Sequence, residues 1–339
     1  MKDSKGMVLY VIKRILLMIF SFLVILTICF FLIRLLPINM EAGPGKDPEI
    51  FKKILQAYGR DQPLLTQYGL FWKTLFYPFY TDENGVVQEL SRFGYSWNIV
   101  YMGRPDQMLL ERFPPTVIIN VYSIIISIPI GIGLGVFMAL HKNKWQDHLL
   151  SILIMVFISV PSFVYAFIVQ YIFAYKLGWL PTIMPSLGVG QTWFSPDIQA
   201  GMIMPVLAMC FGSIAGFGRY TRAELTEVLT SDFMLLARTK GLTKGQATMR
   251  HAFRNSLVPI FPMILGEFIS VLSGSVIIEK VFGIPGVGRI FLDSITMRDY
   301  DVFLFVGMFY TLIGLVGGLV VDLSYGIVDP RIRMGGGKQ

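Results

Sequence analysis

Six nearly uncharged apolar windows recur along the chain, near residues 15–36, 116–140, 149–175, 201–218, 257–279 and 302–325. A helix rises about 1.5 Å per residue, so roughly 20 apolar residues suffice to cross hydrocarbon. The pattern predicts an all-α polytopic membrane protein with six transmembrane helices. Residues 37–113 show a different rhythm. There Ile50, Phe51, Ile54, Leu55 and Tyr58 recur at helical spacing, and a second amphipathic helix is expected to start at Asp61 as a cap, with Pro63 in its first turn. It would run through Leu64, Leu65, Tyr68, Trp72, Leu75 and Phe76. About 75 residues make a poor independent core, so this extracytoplasmic segment reads as a small cap lying on the membrane face or against neighbouring subunits. Its aromatic residues read as an interfacial belt. The resulting organisation is residues 1–36, an N-terminus and first span; 37–113, the outer segment; 114–326, the core membrane domain; and 327–339, a tail.

The first apolar run is too long for a signal peptide and lacks a small-residue cleavage site, so it reads as an uncleaved span. Arg34 and Asp322 fall near span ends, where they are expected to reach headgroups or water. Pro129, Pro161, Pro205 and Pro262 lie within or near the ends of spans, and Gly131, Gly133 and Gly135 stud the second. Small residues let helices approach closely, and neighbouring helices re-satisfy the backbone that proline frees.

Charge then sets orientation. Lysine and arginine number sixteen in the N-terminus, the 141–148 and 219–256 loops and the tail, against four in the short opposite loops. Long loops do not count in this bias, so both termini are expected in the cytoplasm. The net charge of +7 therefore reflects topology and not nucleic acid binding. Charged residues make up 15% of the chain, well below the roughly 25% of soluble domains. Cys29 and Cys210 lie in separate spans and read as small buried hydrophobes. His141, His148 and His251 show no metal-ligand spacing, so no metal site is expected.

The segment from Arg219 to Pro259 stands out because it is basic yet contains five consecutive apolar residues, Phe233 to Ala237. Thr221 to Leu229 continues the fourth span. Ser231 is expected to cap a short helix with Asp232 in its first turn and Arg238 and Lys240 at its end, signs that complement the helix dipole. Gly241 is the natural stop, and Thr243 with Gln246 has the form of a capping box that opens a third helix. A helix of about nine residues is marginal alone in water, and its apolar residues surround it almost completely. Each large side chain gains on the order of 1.5–3 kcal/mol on burial. Such a helix either lies in the lipid interface or enters a groove on a partner.

Four stretches carry a resemblance. Ala237 to Pro259 (ARTKGLTKGQATMRHAFRNSLVP) resembles the EAA loop of permease subunits in binding-protein-dependent ABC importers, in its oligopeptide, dipeptide and nickel branch. Gly59 to Tyr68 is similar to that branch's motif after the first span, and Arg112 to Ser123 to the entry of its core domain. Val281 to Val302 with Val321 to Arg333 is similar to its last loop and C-terminal signature. Leu235, Leu236 and Ala237 stand where the wider family has Glu-Ala-Ala, and the segment from Tyr77 to Glu89 looks expanded. The resemblance implies the type I ABC importer permease fold. It also implies a homologous second permease subunit forming a heterodimer, two ATPase subunits, an extracellular substrate-binding protein and surrounding membrane lipid. ATP would be used by those partner subunits, with no cofactor on this chain and no enzyme activity of its own. On that reading Ser231, Phe233, Leu235, Leu236, Ala237, Arg238 and Gly241 form the ATPase-docking loop, in which Ala237 allows close approach and Gly241 redirects the chain. Pro285, Gly286, Gly288 and Arg289 would belong to an outer gate loop, followed by a short helix from Arg289 to Met297. The solute implied is an oligopeptide or dipeptide, with nickel chelates or other small solutes as the alternative.

The missing chemistry agrees with this reading. No phosphate-binding glycine loop occurs, since Gly43 to Lys46 lacks the spacing. Glu267 is the one carboxylate deep in a span, and by default such a charge faces an interior or a partner. It is a candidate for the pathway or for the heterodimer interface. An ion-coupled secondary transporter would show matching halves and several intramembrane ionisable groups. An intramembrane hydrolase would need a histidine at membrane depth or an H-E-x-x-H pair.

Overall fold

A computed structural model describes residues 2–36, 47–81 and 87–328. The chain clusters into two compact units. One comprises the described part of Met1–Phe113 with Arg289–Leu315, the other Pro114–Gly288 with the described part of Val316–Gln339.

In the first unit, α1 (Lys2–Arg34) is followed by α2 (Pro48–Ala57) and α3 (Leu64–Phe76). Asp47 begins α2 by accepting the amide of Glu49 at 2.9 Å, with Pro48 in the first turn. The two amphipathic helices occur as expected, but Asp61 does not cap α3. Pro63 precedes its first residue and no side chain bonds to that end. A two-stranded antiparallel hairpin follows, β1 (Phe79–Thr81) with β2 (Val87–Glu89), Phe79 facing Glu89. This hairpin is the exception to an all-helical pattern among the described residues. The expected expansion at Tyr77–Glu89 therefore pairs with itself, while 82–86 lie outside the described residues.

Helix α3 of the outer segment finds an apolar seat within its own unit. Leu26, Phe30 and Ile33 of α1 pack with Leu304, and Tyr68, Phe71 and Trp72 of α3 close over them. Polar groups fix the same unit. The Asp299 carboxylate accepts Ser96 Oγ at 2.6 Å and the amides of Trp97, Asn98 and Ile99 at 3.0–3.1 Å. Asp301 is buried against the Arg60 guanidinium, and Arg34 Nη1 lies 4.0 Å away. Arg34 thus does not reach headgroups or water. Its guanidinium stacks over the Phe30 ring, 4.8 Å from the centroid.

The second unit is a helical bundle. Its helices are α4 (Pro105–Leu140, shared with the first unit), α5 (Trp145–Ser159), α6 (Ser162–Gln170), α7 (Pro196–Leu229), α8 (Asp232–Thr239), α9 (Lys244–Ala247), α10 (Arg254–Ser270) and α11 (Val276–Val281). Two helices follow, α12 (Val287–Thr296) and α13 (Tyr300–Val328). Among the described residues, four helices are long and apolar enough to cross a membrane: Leu9–Arg34 within α1, α4, α7 and Tyr300–Ser324 within α13. The bent pair α5–α6 makes up to five.

Two of the six expected windows are not single straight helices among the described residues, each for a local reason. The third window bends by 98° between α5 and α6. Val160 is forced into extended backbone (φ −83°, ψ 127°) by the proline that follows it. The fifth window is not one helix, because α10 ends at Ser270 and the chain restarts at Val276. Gly274 between them has φ +67°, and an added Cβ would come within 2.8 Å of Thr116 Cγ2.

Helix α7 is the centre of the bundle. A Cβ on Gly131 of α4 would lie 2.9 Å from Ile214 O, and one on Gly135 would lie 2.6 Å from Gly218 O. Backbone thus meets backbone, as small residues allow. Gly133, on the other side of α4, has nothing within 4 Å. Ile154 of α5 packs with Met138 and Ala215, while Tyr165, Ala166 and Val169 of α6 join Met202 and Val206 of α7.

Replacing Asp301 with alanine would leave the buried Arg60 and Arg34 guanidiniums without their carboxylate. Breaking a buried pair from one side costs about 3–5 kcal/mol. Asp301→Ala is therefore expected to lower the unfolding midpoint of the detergent-purified protein markedly; an unchanged midpoint would contradict the ion-cluster account.

Candidate functional site

The segment from Arg219 to Pro259 folds as a compact elbow. Helix α7 runs on to Leu229, two residues bridge to α8, and α9 opens the return to α10. Ser231 stands at the N-cap position of α8 but does not cap it; its Oγ donates to Val228 O at 2.5 Å instead. Asp232 lies in the first turn and Arg238 in the last, the charge order the helix dipole favours. Gly241 takes φ +91°, and a Cβ there would meet nothing within 4 Å. Its requirement is thus the left-handed backbone and not space. The capping box forms: Gln246 N donates to Thr243 Oγ1 at 3.3 Å, and Thr243 N to Gln246 Oε1 at 3.1 Å.

Helix α8 has two distinct faces. Met234 (5% exposed) and Ala237 (8%) point inward, onto Ala139 of α4, Leu225 of α7, Ala247 of α9 and Ala252. Val136, Val228, Leu229 and Leu242 complete that seat. Ala237 therefore brings α8 close to its own subunit. Phe233 (41%), Leu235 (66%) and Leu236 (54%) remain exposed. Arg238 and Gly241 are exposed beside them. An apolar helical surface of this kind, set on a rigid base, is suited to fill a groove in another protein.

A salt bridge that sequence reading missed braces the base. Asp147, fully buried at the start of α5, accepts Arg222 Nη2 at 2.7 Å and the Asn143 amide at 3.0 Å. The only signal available in the sequence was two opposite charges flanking separate spans.

Glu267 lies in α10, half-buried, and accepts Ser213 Oγ of α7 at 2.7 Å. Around the Gly283–Gly288 turn the decisive group is Glu279, which the sequence reading passed over. Its buried carboxylate accepts Thr116 Oγ1 at 2.8 Å, and Thr116 Oγ1 accepts the Val287 amide at 2.9 Å. Gly286 and Gly288 are buried where any Cβ would intrude, 2.5 Å from Thr116 Oγ1 and 2.8 Å from Val276 N respectively. Pro285, just before them, is half-buried. Arg289 belongs to the first unit, its Nε 3.5 Å from Asp293 Oδ2. The short helix after the turn begins at Val287, two residues before the expected start. The arrangement brings the α8 residues together on one element and leaves Glu267 and the 285–289 turn as separate features.

The family model described as "Binding-protein-dependent transport system inner membrane component" matches residues 131–334, and its N-terminal companion matches 7–120. The chain belongs to this permease family. It is a permease of a binding-protein-dependent ABC importer, a mainly helical multi-pass membrane protein. It is 34% identical to the dipeptide transport system permease protein DppB of Bacillus subtilis, over 96% of this chain and 98% of that one. It is 32% identical to the glutathione transport system permease protein GsiC of Salmonella typhimurium, with the same coverage of each. A solved amino acid ABC transporter covers 65% of this chain and is covered to 94%, at 19% identity and a TM-score of 0.47. Permeases of this family work with ATPase and substrate-binding partners, and α8 lies within the matched region.

The two faces of α8 give the permease opposite sensitivities. Met234→Asp places a charge in the Ala139–Leu225 seat and is expected to cost about 3 kcal/mol. Leu235→Asp on the open face should change stability by no more than about 0.5 kcal/mol. Thermal unfolding of the two purified variants tests the orientation of the helix.

Proposed function

We propose that this permease forms half of the translocation pathway for oligopeptides or dipeptides delivered by an extracellular binding protein. It pairs with a homologous second permease, and two ATPase subunits dock beneath α8. ATP is bound and used by those subunits, and this chain carries no cofactor. The basic bias of the N-terminus, the 219–256 loop and the tail supports a topology with both termini in the cytoplasm, where α8 would meet the ATPases. The observation that carries the proposal is the exposure of Phe233, Leu235 and Leu236 on a helix whose other face is locked to α4 and α7. Each such side chain gains on the order of 1.5–3 kcal/mol when a partner covers it. A helix so seated transmits force: ATPase closure displaces α8, its seat moves the ends of α4 and α7, and the bundle opens to the other side. The names of DppB and GsiC, transporters of a dipeptide and of glutathione, support a peptide as the solute.

Two substitutions test the docking assignment. Leu236→Asp puts a charge on the open face, and Gly241→Pro imposes φ near −65° where the backbone needs +91°. Both are expected to leave the permease in the membrane while ATP-coupled uptake falls by roughly thirtyfold, equivalent to about 2 kcal/mol of lost contact. Normal uptake in both variants would refute the assignment.

A further inference from the structure

The carboxylates of Asp147, Glu279 and Glu267 in the second unit are not treated alike. Asp147 has the Arg222 guanidinium, and Glu279 has Thr116 within a glycine-lined turn. Glu267 has one hydroxyl, Ser213 Oγ, and no ion pair among the described residues. Ser213 stands midway along α7, a helix long and apolar enough to cross a membrane. The carboxylate is therefore held where a charge costs about 3 kcal/mol on insertion scales. One neutral donor leaves most of its roughly four acceptor sites unused.

The surroundings of Glu267 are open. It is half-buried, and an added Cβ on Gly266 of α10, or on Gly212 or Gly216 of α7, would meet nothing within 4 Å. These glycines neighbour Ser213 and Glu267 in sequence, so no packed side chain crowds the backbone on either side of the Ser213–Glu267 contact. A fixed ion pair at this depth brings little net stability, so a permanent cation gives no return for keeping the charge. A transient cation uses the charge each time a solute passes. A single carboxylate steadied by one hydroxyl also binds weakly enough to release it, as conduction requires.

We propose that Glu267 is a specificity-determining residue that receives the ammonium group of a peptide solute inside the permease, with Ser213 orienting the carboxylate. This rests on the peptide reading of the preceding section. The test uses the complete importer in proteoliposomes with its binding protein and ATP, comparing uptake of trialanine and N-acetyl-trialanine. The same binding protein serves wild type and variants, so its own preference cancels in the comparison.

In Glu267→Gln the free-to-acetylated uptake ratio is expected to fall about tenfold relative to wild type, the size of one charge-assisted hydrogen bond, and Glu267→Asp should recover much of it. Ser213→Ala, which keeps the charge, should raise KM for trialanine alone. An unchanged ratio in Glu267→Gln overturns the proposal. So does an equal loss for both peptides in an intact complex, which assigns Glu267 to a role that does not read the ammonium group. Should Glu267→Gln fail to assemble, an equal effect of Ser213→Ala on both peptides overturns it instead. Wild type that takes up neither peptide, yet hydrolyses ATP with its binding protein, refutes the peptide solute itself.

Discussion

The backbone-to-backbone crossing of α4 and α7 is the constraint on which the second unit depends. Gly131 and Gly135 bring α4 against Ile214 and Gly218 with no room for a methyl group. Because the helices meet there, their continuations place Val136 and Ala139 beside Leu225, Val228 and Leu229. Those residues are the floor on which Met234 and Ala237 rest. The position of α8 is thus set by glycines some distance from it along α4, and the Asp147–Arg222 pair holds α5 to the same end of α7.

Much of this was legible beforehand because apolar periodicity and helix-end chemistry are local. The long helices, the stop at Gly241 and the box from Thr243 to Gln246 all follow from residues close in sequence. The features that escaped are those decided by distant partners. Arg34 reads as a lone cation at a span end, and only the return of Asp301 beside Phe30 shows why it is buried. Glu279 reads as one charge at the end of an apolar window, yet it binds Thr116, more than 160 residues away in sequence. The same contact accounts for the break in the fifth window, since Gly274 gives way to Thr116 and Glu279. The elbow after Val160 falls at Pro161, one of several prolines in the apolar windows. Helix-tolerated prolines at 114, 115, 129, 205, 259 and 262 show why proline by itself does not locate such a break.

Helix α8 shows how composition and geometry separate. Read by composition, α8 is apolar almost all round. Its inward side is taken by Met234 and by Ala237, whose small side chain lets the helix settle on α4 and α7, while the bulkier Phe233, Leu235 and Leu236 stay outside. Ala237 therefore contributes to attachment within the subunit, and the leucines beside it stay open.

The 98° elbow between α5 and α6 has a mechanical consequence. The two limbs grip α7 at different heights, α5 through Ile154 on Ala215 and α6 through Tyr165, Ala166 and Val169 on the Met202–Val206 region. Contacts at two separated levels resist a tilt of α7 against its neighbours, because a tilt would have to press one contact while opening the other. The bent pair therefore ties α5, α6 and α7 into one packed body, and a displacement of α7 would carry both limbs with it.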